Sequence, residues 1–150
     1  MKAKLENKGN KKNKRISDET RKYRKYARPK ELLAGKWSIT GMEMWDKEYY
    51  DEYVKAHVTI NRDGGGEFRF CLVEANMDGE FNNTPEGAVF DFTFAGNDEM
   101  DETFGDGWLR TIDGKTAEGV IRFHQGDKSG FNAKKIIVKG KPAAKSGKRK

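Results

Sequence analysis

The sequence predicts an all-β domain: a small antiparallel up-and-down barrel of about eight strands, with a β-sandwich as the alternative packing. Three observations lead there. Apolar residues alternate with polar ones at period two through most of the middle of the chain. Turn-forming Gly, Asn, Asp and Pro recur at short intervals, and no long run has the 3.6-residue period of a helix. The polarity of the chain is also unevenly placed. Residues 1–34 carry thirteen Lys/Arg against four Asp/Glu, and residues 140–150 carry five Lys/Arg and no acid. The remainder, with twelve basic and twenty acidic side chains, has a net charge of −8, so the total of +6 hides an acidic body between two basic arms.

The domains follow from that distribution. Residues 1–30 and 140–150 read as disordered basic arms, because Lys, Arg, Asn and Gly offer too little apolar surface to offset the entropy of ordering. The stretch SDETRKYRKYARP can form a transient helix from Ser17 to Pro29, with an apolar face too thin to hold it alone. Residues 31–139 form the barrel domain. KWSITGMEMW sets Trp37, Ile39, Gly41 and Trp45 near one face, and DKEYYDEY is an acidic connection with room for one helical turn. AHVTIN contributes Val58 and Ile60, with His57 facing outward, and RDGGG is a hairpin turn. In EFRFCLV, Phe68, Phe70 and Leu72 alternate with Arg69 and Cys71. MDGEFN is a short strand and NTPEG a turn. AVFDFTFAG is the clearest strand, with Phe90, Phe92 and Phe94 on one side and Asp91 and Thr93 on the other. GWLRTI, GVIRFH and FNAKKIIV complete the set. With strands of roughly six to ten residues, the aromatic set can fill the interior and leave little space for a ligand.

Two resemblances attach to these residues. The run LLAGKW, Leu32 to Trp37, resembles the Gly-x-Trp entry of the calycin barrels, the lipocalins and fatty-acid-binding proteins. It implies a lipocalin-like barrel whose Trp closes one end, with a basic residue of a late strand packed over it, a part open to Lys134 or Lys135. The combination of LAGKW, MEMWD, GGGEFRF, FAGNDEMD, DGW and HQGDKSGF, across residues 32–133, is similar to a group of small uncharacterised bacterial proteins. That resemblance implies relatives and no particular activity, ligand or catalytic residue.

Candidate chemistry is sparse. FAGNDEMDETFGDGWL holds Asp98, Glu99, Asp101, Glu102 and Asp106 and reads as a long acidic inter-strand loop. Starting at Asn97, the first, third and fifth positions suit a calcium loop, but Glu102 stands at the sixth in place of glycine and Trp108 at the twelfth in place of glutamate. HQGDKSGF brings His124, Asp127 and Ser129 close in sequence, without the spacing of a nucleophile elbow; a turn capped by Asp127, with Gly126 and Gly130 supplying its backbone angles, explains the string without catalysis. RDGGGE lacks the P-loop pattern. The single cysteine, Cys71, reads as a packed thiol, and no Cys-based zinc site is possible. No metal or cofactor is expected, and catalytic residues are not assigned.

The expected function is therefore a non-enzymatic binding or interaction module, holding a small ligand or protein partner at a barrel mouth or acidic face. Trp37, Trp45, Asp101, Asp106, Trp108, His124 and Asp127 are its candidate contacts. One alternative is a nucleic-acid- or ribosome-associated protein, non-specific and salt-sensitive, working through Lys11, Lys12, Lys14, Arg15, Arg21, Lys22, Arg24 and Lys25 with Tyr23 and Tyr26 between them. The other is a hydrolase using the acidic stretch and the His124 region. No apolar run approaches the ~20 residues that span a bilayer, no signal sequence follows the basic start, and a cytoplasmic location without membrane contact is expected.

Overall fold

A computed structural model describes residues 28–137 of the chain. The arms, the Ser17–Pro29 helix and the eight basic nucleic-acid candidates thus lie wholly or largely outside the described residues. Eight strands form a closed antiparallel barrel in strict chain order. They are β1 (Gly35–Met42), β2 (His57–Ile60), β3 (Gly65–Phe70), β4 (Val73–Thr84), β5 (Gly87–Asp98), β6 (Asp101–Thr111), β7 (Thr116–Phe123) and β8 (Lys128–Lys135). Closure comes from pairing of β8 with β1, through Trp37 opposite Lys135 to Met42 opposite Phe131. The sandwich alternative is excluded. Two short helices, α1 (Pro29–Leu33) and α2 (Lys47–Tyr50), sit at opposite ends; α2 is the helical turn expected in DKEYYDEY.

Period two decides which side chains enter the barrel. Trp37, Val58, Ile60, Phe68, Phe70, Phe90, Phe92, Phe94, Leu109 and Ile121 are all 5% exposed or less. Rings meet rings across it: Phe68 lies edge-on to Phe94 at 4.9 Å, and Phe90 stacks on Phe92 at 5.6 Å. Such rings fit so small a barrel because glycines face them. Gly105 is opposite Phe94, Gly107 opposite Phe92 and Gly119 opposite Phe131. A Cβ at Gly107 would stand 2.8 Å from Cζ of Phe92, and one at Gly119 2.7 Å from the Phe131 ring. Each glycine gives up its side-chain volume to the ring across from it and lets the strands coil tightly.

Several sequence expectations are corrected. The strand expected through FRFCLV ends at Phe70; Cys71 and Leu72 form the β3–β4 turn, with Cys71 at φ 53° and its N–H donating to the Tyr50 carbonyl at 2.9 Å. The cysteine is packed, at 3% exposure, but as the corner of a hairpin rather than a strand residue. MDGEFN is the middle of a twelve-residue strand rather than a short one. Trp45 lies beyond the end of β1, so it does not share a strand face with Trp37. Most consequentially, the long acidic loop does not exist. Its residues are the ends of β5 and β6, which pair from Ala88–Thr111 out to Asp98–Asp101 around a two-residue turn at Glu99 and Met100, with Glu99 at φ 65°. Asp, Asn and Glu are depleted in strands on average, but cross-strand hydrogen bonding overrides that preference here.

Candidate functional site

The two ends of the barrel are built differently. At the α1 end, Trp37 is fully buried and its Nε1 donates to the Leu33 carbonyl at 2.9 Å. Of the two lysines open to the part, Lys135 takes it. Its Nζ lies 5.1 Å from the Trp37 ring centroid and donates to the Leu32 carbonyl at 2.8 Å, while Lys134 points outward. Both bonds satisfy carbonyls at the C-terminal end of α1, which lacks later turns to accept from. Burial pushes the Lys135 ammonium below its usual pKa. Gly114 of the β6–β7 turn packs against Leu32, and Arg62 pairs with Glu31 at 2.9 Å, so α1 is pinned as a plug.

At the α2 end, Asp46 caps the helix by accepting from the Tyr49 N–H at 3.2 Å. Trp45 packs on Phe70 at 5.2 Å and stacks on Tyr49 at 6.1 Å, closing this mouth with half-buried aromatics. A hydrogen bond to the Cys71 thiol, with burial and the charges of Asp98 and Glu52 behind it, pushes the Tyr49 hydroxyl up to about 12. The rim beyond is apolar and acidic at once: Met44, Tyr49, Tyr53, Met100 and Phe104 are 41% to 91% exposed.

The candidate contacts do not converge. Trp37 is core at one end, Trp45 is packing at the other, and Trp108 stands on the outer wall of β6 with the Arg110 guanidinium 5.2 Å over its ring. Asp101 is exposed at the β5–β6 tip. Asp106 is engaged by Arg122 in a two-pronged pair, Nε to Oδ1 at 3.0 Å and Nη2 to Oδ2 at 2.8 Å, which lowers its pKa. His124 and Asp127 belong to the exposed β7–β8 turn, where the Phe123 N–H donates to the Asp127 carbonyl at 2.9 Å. The His124 N–H donates to the Phe104 carbonyl at 2.8 Å and its ring rests on the Phe104 ring at 4.8 Å, so the acidic and histidine-bearing stretches are neighbours through a backbone hydrogen bond and an aromatic contact. Ser129 is fully buried: its hydroxyl accepts from the Met44 N–H at 3.1 Å and donates to the Gly130 carbonyl at 2.9 Å. It braces the chain after β1, and both of its hydrogen bonds among the described residues are to backbone groups. His57 is held on the outside between the Lys55 carbonyl and Glu67, at 2.9 and 3.0 Å. Among the described residues no group of three His, Cys, Asp or Glu side chains is placed to hold a metal ion, and no helix is long and apolar enough to cross a membrane.

What sequence reading missed is the outer wall of β4, β5 and β6. Strand register sets its outward residues in rows: Glu74–Asn97–Glu102, Asn76–Ala95–Phe104, Asp78–Thr93–Asp106 and Glu80–Asp91–Trp108. Six of these twelve side chains are carboxylates. Glu80 stands directly opposite Asp91, an arrangement of like charges that weakens a strand pair. Among the described residues neither Asp78, Glu80 nor Asp91 has an ion-pair partner, and an open groove of about 490 Å³ runs between Asp78, Glu80, Asp91, Thr93 and Asp106. The signal was present as alternation, since Asp78/Glu80 and Asp91/Thr93 are the polar halves of two strands. Their pairing in space depends on register, which no single segment specifies. No family model matches the chain, and no curated protein or solved structure matches it.

Proposed function

We propose that this protein is a non-enzymatic interaction module that takes a cationic polypeptide partner on its outer wall, with the barrel serving as a rigid carrier. One observation supports this reading most. The interior is occupied by the protein's own rings, with Trp37 and Phe90 at 0%, Phe68 at 0% and Phe70 at 1% exposure, so contacts for a partner are supplied by the outside. The chemistry of the outer wall favours a cation. The carboxylates of Asp78, Glu80 and Asp91 set up a negative potential, and exposed Phe104 with half-buried Trp108 adds apolar contact beside it. Titrating the full chain with an apolar fluorophore such as anilinonaphthalene sulfonate, and separately with poly-L-lysine, tests the reading. Expected are no stoichiometric uptake of the fluorophore and salt-sensitive binding of poly-L-lysine that weakens in a D78N/E80Q/D91N variant. One-to-one uptake of the fluorophore with quenching of buried tryptophan would overturn it, as would poly-L-lysine binding that the triple variant leaves unchanged.

A further inference from the structure

Most strand glycines of the barrel stand where the fold has no room for a side chain. A Cβ at Gly66, Gly79, Gly96, Gly105, Gly107 or Gly119 would fall 1.9 to 2.4 Å from a carbonyl oxygen of the neighbouring strand. Gly41 of β1 and Gly130 of β8 differ. The nearest atom to a Cβ there belongs to a side chain, at 3.8 and 3.5 Å, which is ordinary van der Waals contact, and neither residue has a positive φ. Glycine weakens a strand, and these two positions lack the crowding that demands it at the other six. A strand glycine of this kind marks a place where another molecule comes close to the backbone.

Both glycines face outward, around the barrel from Asp78, Glu80 and Asp91. Register sets two adjacent rows there, Trp108–Val120–Gly130–Glu43 and Arg110–Glu118–Asn132–Gly41. The missing side chains leave an open groove of about 430 Å³ between Trp108, Val120, Gly130, Glu43, Asn132 and Gly41. A bulge at Thr40 interrupts the β1–β8 pairing beside it, a distortion over-represented next to active sites. A second groove of about 540 Å³ shares Arg110, Glu118 and Asn132 with the first and carries the trough on to Thr116 and Lys134. The Arg110 guanidinium lies 5.2 Å over the Trp108 ring and pairs with Glu118, so the indole is held in place as the apolar side. Charges of both signs are interspersed along the trough, Glu43, Glu118 and Asp113 against Arg110 and Lys134, and neither a polycation nor a polyanion is favoured by it. A closed barrel also offers no free strand edge to an extended peptide. The ligand that matches is long and neutral. Its hydroxyls both donate and accept, as Arg110, Asn132 and the carboxylates require, and its C–H faces suit the indole.

We propose that the outer trough of β6, β7, β8 and β1 binds a neutral oligosaccharide, with a sugar ring seated on the Gly41–Gly130 floor beside Trp108. This site goes beyond the polypeptide reading of the acidic wall and does not depend on it.

Titration of the isotope-labelled full-length chain with cellohexaose, mannohexaose and N-acetylchitohexaose, each up to about 10 mM and followed by amide NMR, tests the proposal. Expected with at least one of these sugars are saturable shifts confined to Gly41, Val120, Gly130, Asn132 and the Trp108 indole N–H. Trp108→Ala should weaken that binding at least about tenfold. Gly130→Thr should weaken it as much while leaving the chemical-denaturation midpoint unchanged or higher, since threonine is the better strand residue. Absence of saturable shifts with all three sugars would overturn the proposal, as would shifts spread evenly over the barrel. A lower midpoint for Gly130→Thr would show that the fold itself needs this glycine and would remove the argument; unchanged sugar affinity in that variant would remove it too. Equal shifts at the same residues with hexalysine or hexagalacturonate would overturn the neutral class of ligand. Poly-L-lysine affinity should be the same for Gly130→Thr and its parent, so that failure of the trough and failure of the acidic wall are read apart.

Discussion

The two ends of the barrel solve the same problem, closing a tube of eight strands, by different physics. At the α1 end the closure is polar and built on a fully buried indole. Trp37 and Lys135 each donate to a carbonyl of α1, and the ammonium sits on the indole face. At the α2 end the closure is aromatic and half exposed, with Trp45, Tyr49 and Phe70 layered under a four-residue helix. A buried hydrogen-bonded plug has one geometry and resists exchange with water. A rim of stacked rings with 41% exposure at Tyr49 lies within reach of water and opens at lower cost. The first end therefore holds the fold, and the second is the end free to adapt.

Four predictions break or sharpen that contrast. The largest effect is expected at the plug: Trp37→Ala removes a fully buried indole and should cost ~3–5 kcal/mol, read as a drop in the chemical-denaturation midpoint. The same truncation at half-buried Trp45 should cost clearly less, and equal losses would erase the distinction between the ends. Next comes the helix cap. Asp46→Ala should cost ~1 kcal/mol and loosen α2, seen as faster amide exchange at Tyr49 without change at α1.

The third is a pair of opposite pH dependences in alkali. Burial lowers the Lys135 pKa below 10.5, so the unfolded chain holds that proton longer than the folded one, and stability should rise with pH up to about 10.5. Tyr49 is the reverse case. Its hydroxyl keeps its proton to about 12 in the fold but loses it near 10 when unfolded, so its contribution is complete below 10 and is lost as pH rises toward 12. Lys135→Met should flatten the first slope and Tyr49→Phe the second, both measurable in urea unfolding series between pH 8 and 12. A slope that survives its own substitution would refute the corresponding assignment. The smallest effect belongs to the wall between the ends: Arg122→Ala breaks the exposed pair with Asp106 and should cost less than ~1 kcal/mol, shrinking further at high salt.

How much of this was legible beforehand varies by residue. Phe90, Phe92 and Phe94 declared their strand because period-two alternation is local and survives without context. The hairpin turn at RDGGG was equally plain, since glycine density marks a reversal wherever it falls. Asn97, Asp98, Asp101 and Glu102 misled for the opposite reason. Their intrinsic preference is for loops, and only pairing across β5 and β6, with β4 alongside, holds them extended around the turn at Glu99 and Met100. The candidate contacts lie apart in the fold, because closeness along the chain does not give closeness across strands. His124 and Asp127 share a turn yet meet no common partner, while Glu80 and Asp91, eleven positions apart, stand side by side.

By itself the amino-acid sequence determined the class of the domain, the aromatic filling of its interior and the division into an acidic body and basic arms. All three depend on composition and on alternation between neighbours, which are properties of the chain before it folds. The tertiary structure alone decided the closure of β8 on β1, the choice of Lys135 over Lys134, and the rows of carboxylates on the β4–β6 wall. Those depend on register. A shift of one residue turns every inward side chain outward, and only the packing of the whole barrel selects among the registers.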